Sequence, residues 1–155
     1  MIAESRLSPS RATAAAASPD GWLLPLRVLL FGLAVPFLVR RGPERMARLL
    51  EPAAPRPPRG MTANPAAAEA LARRIDRWLR AGWPLVRRGC LVRGITRYRF
   101  LRRAGFDVSL RFGIGDVDGR FEGHCWLVRD GRPFLEKRDP RLTYTEIWRI
   151  GPNER

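Results

Sequence analysis

The sequence contains a single histidine, His124, a single lysine, Lys137, and only two cysteines among its 155 residues. A zinc site is not expected, because one histidine and two cysteines lack the paired ligand spacing that such sites show. A disulfide framework is not expected either, and two thiols in a chain of this size are typical of a reducing cytoplasm. We therefore predict a protein without a metal and without a cofactor.

The sequence also lacks a hydrophobic run long enough to cross a bilayer. The apolar stretch at 22–39 contains Pro25 and Arg27, and its longest part without a charge is the twelve residues from Val28 to Val39. A spanning helix needs about 20 apolar residues, and no small-residue cleavage site follows the run as it would in a signal peptide. The stretch is predicted to be a helix that docks on the core or a partner, or makes peripheral contact with a membrane, in preference to a membrane anchor.

Acidic residues are scarce relative to basic ones, since 15 Asp and Glu stand against 29 Lys and Arg, for a net charge of +14. Between Arg73 and Arg103 there are eleven arginines and one acid, Asp76. Such a cluster attracts an acidic peptide or a phosphate backbone, although most of its arginines, taken individually, are better explained as a solvated helix face. No nucleic-acid-binding motif is present, so nucleic acid is not the expected partner.

Composition divides the chain into four parts. Residues 1–20 have the composition of a disordered tail, and residues 21–51 form a hydrophobic helical segment. Residues 52–61 are rich in proline, which excludes a helix or an inner strand and predicts a linker. The remainder, 62–155, is predicted to be the one core-bearing domain.

Two amphipathic helices are predicted to open this domain. Asn64 before a proline is a typical helix start, with a capping side chain and a proline at the first helical position. The apolar stripe that follows indicates a helix to about Arg80. The second helix begins near Cys90 and ends at the Ala104-Gly105 pair.

Alternating apolar and polar residues then predict an antiparallel meander. Its strands are expected at 106–114, 121–128 and 133–136, with a hairpin loop at 115–119 and a turn at Asp130-Gly131. The aromatic tail from 139 to 150 suggests a closing strand or a lid over the core. Helices followed by an antiparallel sheet predict an α+β fold.

Cys90, His124 and Glu136 are the candidate catalytic residues. Unpaired amides and the helix dipole stabilise a thiolate at the start of a helix. The only histidine is the only possible imidazole base for that thiol, and a carboxylate can orient the imidazole. Plainer interpretations exist for each residue: a buried apolar cysteine, a core histidine and a solvated charge at a strand end.

The register of the last hairpin determines whether Glu136 can reach His124. A three-residue loop, from Arg129 to Gly131, sets the two opposite each other with Cβ atoms about 5 Å apart. A two-residue turn at Asp130-Gly131 instead sets Glu136 opposite Cys125, with its side chain on the other face of the sheet. The sequence does not choose between these registers.

Together these motifs resemble a known family. The segments 90–93, 102–105 and 123–126 read Cys-Leu-Val-Arg, Arg-Arg-Ala-Gly and Gly-His-Cys-Trp, and an acid stands twelve residues after the histidine. They resemble the transglutaminase-like cysteine peptidases, and among them the leader peptidases (B proteins) of lasso-peptide maturation, over roughly 62–140. The resemblance implies a papain-like or transglutaminase-like core, in which the helix carrying the cysteine packs on an antiparallel sheet carrying the histidine and the acid.

The resemblance also implies roles for individual residues. Cys90 would be the nucleophile, His124 the base and Glu136 the orienting acid, in place of the family's usual Asp, while Arg93 and Trp126 would bind substrate. The implied reaction removes the leader from a ribosomally made precursor peptide in the cytoplasm, alongside a leader-recognition protein and an ATP-dependent macrocyclase. The alternatives are a non-catalytic basic adaptor for an acidic peptide, partner protein or nucleic acid, and a silent scaffold.

Overall fold

The computed structural model describes residues 23–51 and 64–152. The described helices are α1 (Leu24–Arg40), α2 (Pro43–Leu50), α3 (Pro65–Ala81) and α4 (Cys90–Arg103), and the described strands are β1 (Ser109–Val117), β2 (Arg120–Arg129), β3 (Arg132–Phe134) and β4 (Thr145–Ile150). A 3₁₀ turn, Pro140–Leu142, precedes β4. Helices packed on an antiparallel sheet confirm the predicted α+β fold. The predicted tail at 1–20 and linker at 52–61 lie outside the described residues.

The helices of the second half begin where the sequence predicts. The Asn64 side chain accepts hydrogen bonds from the amides of Ala66, at 3.0 Å, and Ala67, at 3.4 Å, and Pro65 occupies the first position of α3. These contacts satisfy amides that have no partner inside the helix. Helix α4 starts at Cys90 itself, so the thiol belongs to its first turn.

Helix α1 docks on the core. Its buried residues, Val28, Gly32 and Val35, lie on the side that contacts α3 and α4. A Cβ on Gly32 would lie 2.9 Å from the Leu79 side chain, so the glycine permits this close approach. Met46 of α2 joins the same core, which residues 23–51 therefore share with the rest of the fold.

The opposite side of α1 is apolar and exposed. Four large side chains lie on it at helical spacing: Leu26, Leu30, Leu33 and Phe37. No helix within 23–51 or 64–152 combines the length and the apolar character required to cross a bilayer.

The four strands form one antiparallel sheet in the order β3-β2-β1-β4. The loop predicted at 115–119 is wrong, because β1 continues to Val117 and pairs there with Arg120. Asp118 and Gly119, with φ of 53° and 76°, supply a two-residue turn. Two positive φ values suit the twist of a tight hairpin, so neither strand has to end early. Strand β4 pairs with β1 and closes the sheet.

Helix α4 packs closely on the face of β2 that carries Cys125. A Cβ on Gly94 would lie 2.8 Å from the Cys125 sulfur, so glycine is needed for this approach. Ile95, Tyr98 and Leu101 are completely buried between helices and sheet. Burying a large apolar side chain contributes roughly 1.5–3 kcal/mol to the free energy of unfolding. These residues therefore hold α4, and with it Cys90, in position on the sheet.

A buried ion pair joins α3 to α4. Arg97 Nε donates to Asp76 Oδ1 at 2.8 Å, and Arg97 Nη2 donates to Asp76 Oδ2. The two side chains are only 7% and 14% exposed. The pair joins the middle of α4 to the second half of α3 and neutralises the one acid in the arginine-rich segment.

Candidate active site

Cys90 is partly buried at the first position of α4. The residue before it, Gly89, has no side chain to cap the helix, so no capping side chain accepts a hydrogen bond from the amides of the first turn. The Cys90 sulfur lies 4.0 Å from the carbonyl oxygen of Gly123 on β2. A thiol at a helix start beside an exposed strand segment is accessible to a substrate and favoured as an anion.

The surroundings of Cys90 lower its pKa to about 5. The largest cause is a hydrogen bond from the side chain of Cys125, and a hydrogen bond from the side chain of His124 and the charge of that imidazole act in the same direction. Burial opposes them. At neutral pH the sulfur is therefore predominantly a thiolate, which is the nucleophilic form.

Cys125 is a site residue that the sequence analysis missed. Its thiol donates to the carbonyl oxygen of Cys90 at 3.1 Å, and the side chain is 2% exposed. The hydrogen bond with the Cys90 sulfur raises the pKa of Cys125, and burial acts in the same direction. Cys125 therefore stays protonated and remains a donor. Strand alternation could have indicated its burial, because it puts Cys125 on the same face of β2 as Leu127, the face that packs on α4.

His124 lies between a carboxylate and two aromatic rings. Its Nε2 is 3.7 Å from Glu136 Oε2, and the two side chains are 19% and 13% exposed. This separation is longer than a hydrogen bond but within ion-pair range. The imidazole stacks on Tyr144 with ring centroids 5.0 Å apart, and on Trp126 at 6.1 Å. These contacts restrict the rotation of the imidazole.

The last hairpin adopts the register with the two-residue turn, which is expected to put the Glu136 side chain on the face of the sheet away from His124. Arg129 pairs with Arg132 across a two-residue turn at Asp130-Gly131. The expected consequence is nevertheless wrong, because β3 ends at Phe134. Leu135 follows with a φ of 59°, which takes the chain off the strand path and returns Glu136 to His124. A positive φ at a residue other than glycine is uncommon and marks a position held by its surroundings.

The two residues predicted to bind substrate occupy different environments. Arg93 is 43% exposed at the edge of the site, and its Nη2 lies 3.8 Å from Glu136 Oε1. Trp126 is 1% exposed and lies nearly parallel to the imidazole, with an angle of 14° between the ring planes. Trp126 thus supports His124 from inside the fold and offers no exposed ring surface to a substrate.

Two clefts adjoin the site, one on each side of Arg93. One has a volume of about 310 Å³ and includes Cys90, and the other, of about 480 Å³, includes His124 and Glu136. In the described part of the chain, no group of three or more His, Cys, Asp or Glu side chains could hold a metal ion. A thiolate, an imidazole and a carboxylate in this order can carry out acyl transfer without one.

Comparison with known proteins places the chain at the level of a superfamily. Neither the curated proteins nor the solved structures gave a match. A family model described as the transglutaminase-like superfamily matches residues 31–149, a range that contains Cys90, His124 and Glu136. The activities of this superfamily are generally those of cysteine peptidases and transferases. The match covers well over half of the sequence, and the chain therefore belongs to the transglutaminase-like superfamily.

Proposed function

We propose that this protein is a cysteine peptidase in which Cys90 is the nucleophile, His124 the base and Glu136 the acid that orients the imidazole. The observation that supports this most strongly is the state of Cys90: a partly buried thiol at a helix start, whose pKa is lowered to about 5 with Cys125 and His124 among the causes. The contact between His124 Nε2 and Glu136 adds the third group.

The geometry supports the following sequence of steps. The Cys90 thiolate attacks the scissile carbonyl, and amides at the start of α4 stabilise the oxyanion. Protonated His124 gives its proton to the leaving amine as the C–N bond breaks, which leaves a thioester. His124 then takes a proton from water, and the resulting hydroxide attacks the thioester. The carboxylic acid and the Cys90 thiolate are released, which restores the thiolate beside protonated His124. Because Nε2 faces Glu136, Nδ1 is the nitrogen left to exchange protons with the sulfur.

We further propose that the substrate is a ribosomally made precursor peptide whose leader is removed during lasso-peptide maturation. A separate leader-recognition protein would present it in the cytoplasm, and an ATP-dependent macrocyclase would act on the released part. The resemblance of residues 62–140 to lasso-peptide leader peptidases supports this substrate. The two free cysteines are in keeping with a reducing compartment.

Precursor cleavage tests the proposed reaction. Purified protein is mixed with a precursor peptide and its recognition protein, and the products are followed by mass spectrometry. Cys90→Ala and His124→Ala should each abolish leader removal, while circular dichroism shows the fold retained. Leader removal by Cys90→Ala at the wild-type rate would overturn the proposal.

The basic adaptor is the second candidate function, and the structure reduces its support. Arg97 is held by Asp76, Arg99 Nη1 donates to the carbonyl oxygen of Leu49 at 2.7 Å, and Arg102 pairs with Asp107 at 2.8 Å. These three arginines stabilise the fold internally. They therefore do not form the free basic surface that an adaptor on α4 needs.

We also propose that α1 makes peripheral contact with an anionic bilayer. The exposed apolar stripe of α1 is followed by the exposed arginines Arg40, Arg41 and Arg45. An apolar helix face next to clustered positive charge is typical of helices that lie in a membrane interface.

A further inference from the structure

The smaller cleft lies beside the Cys90 thiol, where the end of α3 meets the start of α4. Leu79 and Val92, each 8% exposed, form its apolar floor. The cleft has a volume of about 310 Å³, enough for one or two side chains of a peptide. Whatever occupies it lies within a residue or two of the reacting carbonyl.

Positive charge dominates the lining of this cleft. Four arginines contribute to it: Arg80, Arg87, Arg88 and Arg93. The one acid in the lining, Asp76, is held by Arg97 through two hydrogen bonds and is only 14% exposed. The cleft therefore presents an excess of cationic groups to any occupant.

Two of these arginines contact an aromatic ring or a carboxylate of the same protein, and the other two are open to a ligand. The Arg88 guanidinium lies 5.2 Å from the centre of the Trp83 ring, and Arg93 faces Glu136. Arg80 and Arg87 are exposed, and no carboxylate of the described residues lies within ion-pair distance of either. Guanidinium groups bind carboxylates through paired hydrogen bonds and favour them strongly in a partly desolvated cleft.

We infer that this cleft is a specificity pocket for an acidic side chain of the substrate, a glutamate or an aspartate, on the acyl side of the scissile bond. The inference rests on the proposed peptidase function. The cleft is assigned to the acyl side because the leaving amine must face His124, and His124 lines the other cleft. The acyl part of the peptide then extends from Cys90 past the arginines, with its methylene groups on the floor formed by Leu79 and Val92.

Peptidyl chloromethyl ketones test the pocket without knowledge of the natural substrate. The Cys90 thiolate displaces chloride from the reagent and forms a thioether, and mass spectrometry identifies the modified residue and gives the rate. Each tripeptide reagent carries Glu or Gln at one position: the residue that bears the reactive carbonyl, the one before it, or the one before that. We expect the Glu reagent to modify Cys90 at least tenfold faster than its Gln partner at one of these positions.

Variants assign this preference to the cleft. In the double variant Arg80→Gln, Arg87→Gln the ratio of Glu to Gln rates should fall below twofold. Arg77→Gln, at an exposed position of α3 outside the cleft, should retain the wild-type ratio. Equal Glu and Gln rates at all three positions would overturn the pocket, and so would a Glu preference that survives the double substitution.

Failure of the proposed function itself has a different signature. In that event Cys90 reacts with every reagent, acidic or neutral, no faster than glutathione does, and the pocket is rejected together with the function. Fast modification of Cys90 without any Glu preference rejects the pocket and leaves the nucleophile in place.

Discussion

At the scale of single residues, the ionisation of Cys90 depends on a second thiol packed beneath it. Cys125 donates to the Cys90 carbonyl at 3.1 Å, and its side chain is the largest cause of the lowered pKa of Cys90. An ionised sulfur is a better acceptor than a carbonyl, because hydrogen bonds to charged groups are the stronger ones. The thiol of Cys125 therefore stabilises Cys90 most when Cys90 has lost its proton.

Replacing Cys125 should raise the pKa of Cys90. Cys125→Ala removes the largest cause of the lowered pKa, so the midpoint of a plot of iodoacetamide labelling rate against pH should move upward. Cys125→Ser, which keeps a hydrogen-bond donor, should move it less. Identical midpoints in the wild type and Cys125→Ala would show that the second thiol has no influence on the first.

Removing the charge of Glu136 should slow catalysis with little effect on folding. Glu136→Gln keeps the shape of the side chain but loses the carboxylate that faces His124 Nε2. We expect kcat for precursor cleavage to fall roughly 10²–10⁴-fold, as for other acids that orient a catalytic histidine. The control is Glu122→Gln at an exposed position of β2, which should keep the wild-type rate. Equal rates for the two variants would remove Glu136 from the mechanism.

At the scale of elements, the contact between α3 and α4 holds the nucleophile in place. Arg97→Met leaves Asp76 without its cation in a site where both side chains are nearly buried. The free energy of unfolding in urea should fall by about 3–5 kcal/mol, because an uncompensated buried charge remains. Arg73→Met is the matched control, since its pairing with Glu69 on α3 is exposed and contributes at most about 0.5 kcal/mol. Similar losses in the two variants would contradict this account of the buried pair.

The exposed face of α1 should bind anionic membranes. Flotation with phosphatidylglycerol vesicles should carry the wild-type protein upward, whereas phosphatidylcholine vesicles should not. Leu30→Ser combined with Phe37→Ser should abolish flotation, because both side chains lie on the exposed stripe. Leu142→Ser, at an 86% exposed position of the 3₁₀ turn, should not. A wild-type protein that stays unbound with anionic vesicles would show that this face has another occupant or none.

At the scale of the whole molecule, local signals predicted the order of elements and the class of fold. The capping Asn64 and the alternation in β1 and β2 depend on neighbouring residues, so the sequence displays them directly. The path of Glu136 depends instead on the left-handed conformation of Leu135. Glycine or asparagine usually adopts this conformation, so a leucine at this position gives no sign of it in the sequence. The contact between Cys90 and Cys125 arises from packing of α4 on the sheet, which Gly94 permits. Long-range packing of this kind is absent from any local pattern.

The distribution of charge is likewise a property of the complete fold. The sequence shows an arginine-rich segment but does not say which arginines are paired. In the folded chain, Arg97 and Arg102 pair with carboxylates of the same protein. Arg80 and Arg87 instead line the cleft. Net charge alone therefore predicts an acidic partner without saying where the partner binds. The cleft beside Cys90 is where the unpaired charge and the reactive sulfur coincide.

The most direct test of the central claim is the pH dependence of iodoacetamide labelling at Cys90 in the intact protein. The thiolate fraction rises as pH rises through the pKa, so labelling should be half-maximal near pH 5. The midpoint should move upward in His124→Ala, because the imidazole is one of the groups that lower the pKa. A wild-type midpoint near the ordinary thiol value of about 8.5, unchanged in His124→Ala, would contradict the claim that Cys90 is an activated nucleophile.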